Sequence, residues 1–215
     1  MAVAKTIATE LAERVCAFKT DDVTPGALAW AKAAIIDTAG VTFAGVPEDC
    51  VRILLSTPGV AEAPGPALII GTNRRTSALD ATLVNGTASH ALDFDDFNGH
   101  FGGHASATLL PPLLALAEGR GISGRQLIAS FVIGYELEIR MARGLNFHHY
   151  DKGWHPTATI GTFGAAAACC HMLGLDVPKT AKALALAASF ASGIKANFGT
   201  MTKPLHVGHC TRNGM

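Results

Sequence analysis

Apolar positions recur with helical period along most of the chain. Over residues 4–18, Ile7, Leu11, Val15 and Phe18 fall at i, i+4, i+8 and i+11, one stripe of a helix. Thr24-Pro25 reads as an N-cap followed by proline at the first helical position. The apolar run behind it extends to about Ala44, with Gly45 placed to end it. A short helix fits residues 48–56, and the Gly-, Pro- and Ala-rich stretch from Pro58 to Pro66 reads as a loop. ALIIG at 67–71 is the only strand pattern and has no obvious partner. Further helices are expected over Thr76 to about Leu92, and over Thr108 to Gly119 with Pro111 and Pro112 in the first turn. Three more are expected: from the capping box Ser123-Gly-Arg-Gln126 to about Arg143, from Pro156 to Leu173, and from Asp176-Val-Pro178 to near Gly193. Residues 196–209 look irregular. The expected fold class is all-α: one multi-helix domain over residues 1–215, with roughly eight helices and no repeat or linker.

Composition narrows the classes. Hydrophobic residues make up 49% and charged residues 16%, so the chain can bury a large core. Lys+Arg and Asp+Glu number 17 each, and no basic patch points to a nucleic-acid partner. The longest apolar run, TLLPPLLALA, is too short to span a bilayer, so no membrane partner is expected. The five cysteines show no C-x-x-C pair or zinc-ribbon spacing, and MAVAKTIATELAERV has no apolar leader core. Both features point to a reducing, cytoplasmic setting. Cys169 and Cys170 read as small core residues. The chain stops after HVGHCTRNGM with no closing helix expected, so the domain is expected to be incomplete at its C-terminus, as part of a longer protein or a truncated product.

Polar chemistry gathers in three islands at expected helix ends or loops, where functional groups sit on a rigid scaffold. The first, HALDFDDFNGHFGGHAS, spans 90–106 and holds three aspartates, three histidines and three glycines. Asp93 and Asp96 would share a face if the preceding helix continued through them, and paired carboxylates can divide into an acid and a base. His90, Asp93, Asp96, His100 and His104 also have mixed N/O metal-ligand character, although H-E-x-x-H is absent. A solvated, aspartate-capped turn is the third possibility. In the second island, Asn146 to His155, His155 precedes a helix beginning at Pro156; a helix N-terminus favours neutral imidazole and hence a base role. His148 and His149 read as exposed, and His171 as a satisfied core histidine. The third island, Lys195 to His206, sets Lys203-Pro204 beside Thr200, Thr202 and His206. An ammonium there, at Lys203 or Lys195, would bind a carboxylate or steady an enolate; a solvated surface lysine is the alternative.

The order and spacing of four segments resemble the MmgE/PrpD family: N-G-T-A-S-H-A-L-D-F-D-D, G-G-H-A-S, G-W-H-P-T-A-T-I-G-T-F-G-A-A-A-A and M-T-K-P-L-H-V-G-H-C-T-R-N-G. The resemblance covers almost the whole chain but only about the N-terminal half of a family member. It implies a large all-α domain, usually a homodimer, closed by an α/β lid that this chain lacks. It also implies acid–base chemistry on small polycarboxylates without metal or organic cofactor: dehydration of 2-methylcitrate, decarboxylation of cis-aconitate or epimerisation of iminodisuccinate. Carried over by motif, Asp93 matches the first aspartate of D-F-D-D and His104 the histidine of H-P-S. His155 matches the histidine after Gly-aromatic, and Lys203 the lysine of K-x-L-H. Phe97 stands where the family often has threonine, and Ala105 where it has proline. Phe97 removes a hydroxyl able to bind a carboxylate, so a different substrate is expected.

The catalytic set expected is Asp93, His104, His155 and Lys203, with Asp96, Ser106, Thr202 and His206 as substrate-binding candidates. His155 or His104 would serve as base or acid, Asp93 would orient a histidine or act as the acid, and Lys203 would neutralise substrate carboxylate. Two rivals stand beside this reading. One is a metal-dependent hydrolase using His90, Asp93 and His100; the other is a truncated, non-catalytic helical relative.

Overall fold

The computed structural model of the chain describes residues 5–215, so the expected helix start at residue 4 lies outside the described residues. The all-α class holds: the described residues form ten α-helices and two very short strands. They run α1 (Ile7–Ala17), α2 (Pro25–Gly45), α3 (Asp49–Ser56), β1 (Ala67–Leu68), β2 (Arg75–Thr76), α4 (Ala78–Ser89) and α5 (Ala105–Ala117). They continue as α6 (Gly124–Leu145), α7 (His148–Asp151), α8 (Pro156–Met172), α9 (Val177–Phe190) and α10 (Thr202–Gly214).

Local signals explain most boundaries. Thr24, Ser77, Ser123 and Asp176 each cap a helix by accepting a backbone N–H bond from Ala27, Asp80, Gln126 and Lys179. The apolar stripe of α1 is only partly used, because Val15 is buried while Ile7 is 77% exposed. The expected strand at 67–71 does find a partner: Ala67 pairs with Thr76 and Leu68 with Arg75, antiparallel. Pro111 and Pro112 lie more than a turn inside α5, not in its first turn, because the helix starts earlier, at Ala105. Each lacks the N–H that would bond the carbonyl four residues back. Of the expected irregular stretch 196–209, residues 202–209 instead belong to α10, whose face of Pro204, Val207, Gly208, Cys210, Thr211 and Gly214 is buried.

The main core joins α2, α5, α6 and α8 through Ala31, Leu109, Leu113, Phe131, Cys169 and Met172. Cys169 and Cys170 are core residues as expected. The membrane expectation needs one correction: α2 is long and apolar enough, by length and composition, to cross a bilayer. Here its Ala31, Ala34, Thr38, Thr42 and Gly45 side packs inward, while Ile36 and Phe43 face out.

Two glycines set the site. A Cβ at Gly208 would lie 2.2 Å from Thr87 Oγ1 and 2.4 Å from the Leu83 carbonyl, so only glycine lets α10 lie this close to α4. That approach brings the start of α10, with Lys203 and His206, beside the C-terminal end of α4 and His90. Gly193 has φ +127 and packs against His206. Its carbonyl accepts the His155 N–H, while Lys195 N–H donates to Gly153. This pairing joins the second polar island to the third.

Candidate active site

Helix α4 ends at Ser89, and the following residues leave helical geometry; Asp93 has φ +56, in the left-handed region. The expected Asp93–Asp96 helical pair therefore does not form. Asp96 turns to α5, where it accepts from Ser106 Oγ at 2.7 Å and Ser106 N–H at 3.1 Å. The two candidates thus satisfy each other and cap α5. Burial raises the Asp96 pKa, with Ser106 partly opposing it.

The carboxylate that organises the first island is Asp95, which the spacing argument passes over. It is 4% exposed. His90 Nδ1 lies 2.9 and 3.0 Å from its two oxygens. His104 Nδ1 lies 3.3 Å from its Oδ2 and 3.1 Å from its backbone carbonyl. An ionised carboxylate accepts only, so both imidazoles carry their proton on Nδ1 and turn Nε2 toward Asp93. Burial works against the Asp95 anion, but these donors outweigh it and hold its pKa well below the usual range. Burial likewise opposes the His104 cation, and the Asp95 and Asp93 charges overcome it, so the His104 pKa is raised.

Asp93 Oδ1 is the meeting point. It lies 2.5 Å from Lys203 Nζ, 3.5 Å from His104 Nε2 and 3.7 Å from His90 Nε2. Partial burial pushes its pKa up, but Lys203 and the imidazoles bring it down overall. Asp93 is therefore ionised and unsuited to the acid role.

His155 stands at the start of α8, 2% exposed, with its Nδ1 3.2 Å from His206 Nδ1. Its ring is 5.9 Å from that of His90 and edge-on to Phe198 at 4.9 Å. Burial, reinforced by the cationic neighbours, drives its pKa down to about 2. Burial, rather than the helix terminus, is the main influence favouring a neutral imidazole. The His206 pKa is lowered too, chiefly by burial.

Other candidates lie elsewhere. Thr202 lines a shallow cleft with Cys50, Ile53, Leu54, Thr57 and Leu205. His100 is exposed and stands outside the cluster. Lys195 donates to the Tyr150 carbonyl and lies 3.4 Å over that ring. His149 is half-buried rather than exposed, 2.6 Å from Thr159 Oγ1, while His171 is satisfied by Ser130 and the Phe18 carbonyl. Phe97, 64% exposed, forms a rim against the His104 ring.

Donor atoms of His90, Asp93, Asp95 and His104 lie within 4.8 Å of one another, close enough to hold a cation. The chemistry of the set fits poorly, because imidazole protons already fill Asp95 and the Lys203 ammonium neutralises Asp93.

Fold and site together define a helical domain with a cluster of titratable side chains assembled from helix ends. The chain belongs to the MmgE/PrpD family: the family's N-terminal domain model matches residues 9–215. It is 33% identical to the Homo sapiens cis-aconitate decarboxylase over 217 residues, covering 98% of this chain and 45% of that protein. The Mus musculus cis-aconitate decarboxylase is 32% identical, with 98% of this chain and 44% of that protein covered. The Aspergillus terreus cis-aconitate decarboxylase is 27% identical over 203 residues, 91% of this chain and 41% of that protein. The chain thus spans less than half the length of these relatives.

Proposed function

We propose that this chain carries the acid–base half of a lyase active site that acts on a small di- or tricarboxylic acid, without a metal. The observation that carries the reading is the convergence of Lys203, His104 and His90 on one carboxylate oxygen, with neutral His155 alongside. The similarity to cis-aconitate decarboxylases supports decarboxylation over dehydration or epimerisation. Lys203 neutralises a substrate carboxylate. Loss of carbon dioxide breaks a carbon–carbon bond and leaves its electron pair delocalised toward a neighbouring carboxyl group. Protonated His104, with its raised pKa, delivers a proton to carbon. His155 is a weak base while the pocket is empty; a polycarboxylate bound beside it would raise its pKa toward a useful range. A homodimer in a cytoplasmic setting completes the reading.

Proton NMR in heavy water, with citrate-, aconitate- and succinate-type acids, tests it on the full-length protein. Turnover without added metal is expected, and the changed signals identify the reaction. Stoichiometric bound metal, with activity lost on chelation, would instead support a metal-dependent hydrolase, with Asp95 and His104 rather than His100 beside His90 and Asp93. His155→Ala is expected to lower the rate at least about a hundredfold, the usual scale of acid–base catalysis; near-normal activity removes His155 from the mechanism. Because His104 acts as its cation, the rate should fall as pH rises through its raised pKa.

A further inference from the structure

Asp93 is an unusual member of the pocket. Its side chain is 56% exposed, while the Lys203 and His104 side chains it meets are 15% and 14% exposed and that of His90 is fully buried. The three nitrogens belong to the residue that caps α4, the residue that caps α5, and the first turn of α10, so the scaffold positions them. Asp93 sits on a left-handed turn in the loop, followed by Phe94, which is 73% exposed. Among the described residues, its side-chain polar contacts are all with Lys203, His104 and His90. His90 Nε2 is buried and has no hydrogen-bond partner among the described residues. A rigid, buried set of nitrogens, one unpartnered, thus faces a single carboxylate oxygen supplied by an exposed loop.

We infer that the position of Asp93 Oδ1 is a carboxylate seat, that Asp93 occupies it in the ligand-free protein, and that one carboxylate of a small polycarboxylic acid displaces it. This deepens the function proposed above and rests on it for the substrate class. The exchange replaces one anion by another, so the cations stay neutralised throughout. Lys203 is the main anchor, His104 with its raised pKa presents Nε2 from the side, and His90 Nε2 lies 3.7 Å from the same oxygen. The freed Asp93 carboxylate turns to solvent, where the loop already exposes it. An internal competitor reduces apparent affinity to the fraction of molecules in which the seat is empty.

The test is calorimetric titration of the 215-residue chain with propane-1,2,3-tricarboxylate, a saturated probe. Asp93→Asn removes the competitor and should tighten binding by about tenfold or more, the effect of vacating a seat filled in about nine molecules of ten. Asp151→Asn removes the same charge from an exposed neighbouring helix and should leave binding within about twofold, which separates displacement from general electrostatics. Lys203→Met should abolish binding. A crystal structure of the wild-type complex should show a ligand carboxylate on Lys203 Nζ and Asp93 turned outward, and it needs no variant to fold. Unchanged or weaker binding by Asp93→Asn, no binding by any form, or a complex with Asp93 still on Lys203 overturns the inference. Turnover is not read in this experiment. Binding with the expected pattern, alongside no turnover in the NMR assay of the proposed function, would count against the lyase reading alone, whereas turnover there without tightening here would remove the seat alone.

Discussion

Asp95 and Glu138 are both buried carboxyls, and they end in opposite states. Asp95 lies where the chain has left α4, within reach of two imidazoles that each donate a proton to it. It is ionised. Glu138 lies within α6, with no exposed surface and one polar partner, Thr108. Its Oε2 has no partner among the described residues, and burial pushes its pKa well above the ordinary value. Thr108 Oγ1 is 2.6 Å from both the Ala105 carbonyl and Glu138 Oε1. A hydroxyl has one proton to give. The carbonyl takes it, so neutral Glu138 donates to Thr108. Burial alone therefore does not decide charge; the donors supplied by the surroundings do. Helix ends and loops can bring such donors together, whereas the interior of α6 faces backbone already bonded to itself.

The strongest way to break this contrast is Asp95→Asn. An amide carries no negative charge, and only one of its two terminal atoms accepts from the imidazoles. The expected loss is about 3–5 kcal/mol, the scale of breaking a buried ion pair, read by chemical denaturation at pH 7. The His104 pKa should fall in the same variant, as seen in ring proton shifts. The Asp95 pKa is depressed below its ordinary 3.8, so its contribution is complete above that value and lost as pH falls below it. The deficit of the variant should accordingly shrink below about pH 4. A loss under about 1 kcal/mol at pH 7 would mean that the imidazoles do not depend on Asp95.

A smaller effect tests how the pocket is positioned. Gly208→Ala forces a Cβ into Thr87 and the Leu83 carbonyl. The gain of about 1 kcal/mol in helix propensity is outweighed by overpacking, and a net loss of about 2 kcal/mol is expected in denaturant melts. Lys203 and His206, carried by the displaced helix, should lose their contacts with Asp93 and His155. Unchanged stability would show that α4 and α10 can separate freely.

How much of this was legible beforehand depended on which force set each element. Caps and apolar periodicity announced α2, α6, α8 and α9, because side-chain burial and N-cap bonds are local. Helix α10 was missed because its inward face is built from Pro204, Gly208, Thr211 and Gly214, residues of low helix propensity that pack by being small. The recurrence of small residues at helical spacing was the signal available. In the pocket, His104, His155, Lys203 and Asp93 were readable as polar groups at element ends and from family motifs. Asp95 and His90 are harder to read, because helical spacing pairs Asp93 with Asp96 instead. The chain leaves the helix at His90, and the left-handed turn at Asp93 reverses which carboxylate faces inward. Thr202 differs for the converse reason: the third island enters a helix, which places that residue on a cleft beside α3.

The mildest change sharpens the contrast most. Glu138→Gln replaces a neutral acid by a neutral amide of nearly the same shape, able to donate to Thr108 as the acid does. Its stability should lie within about 1 kcal/mol of wild type at pH 7, the scale of one ordinary hydrogen bond. The pH dependence should run opposite to that of Asp95→Asn. The folded Glu138 pKa is raised above its ordinary 4.5, so its contribution is complete below that value and drains away as pH rises. In the unfolded chain the glutamate ionises freely, whereas burial holds the folded form neutral. Glutamine has no such proton to lose. Urea titrations from pH 4 to pH 8 should therefore show the variant gaining on wild type as pH rises. A gain would mark Glu138 as a buried neutral acid that helps hold the start of α5, and with it the cap that carries His104. A widening deficit would mean that the folded protein keeps this glutamate ionised, and the distinction between the two carboxyls would fail.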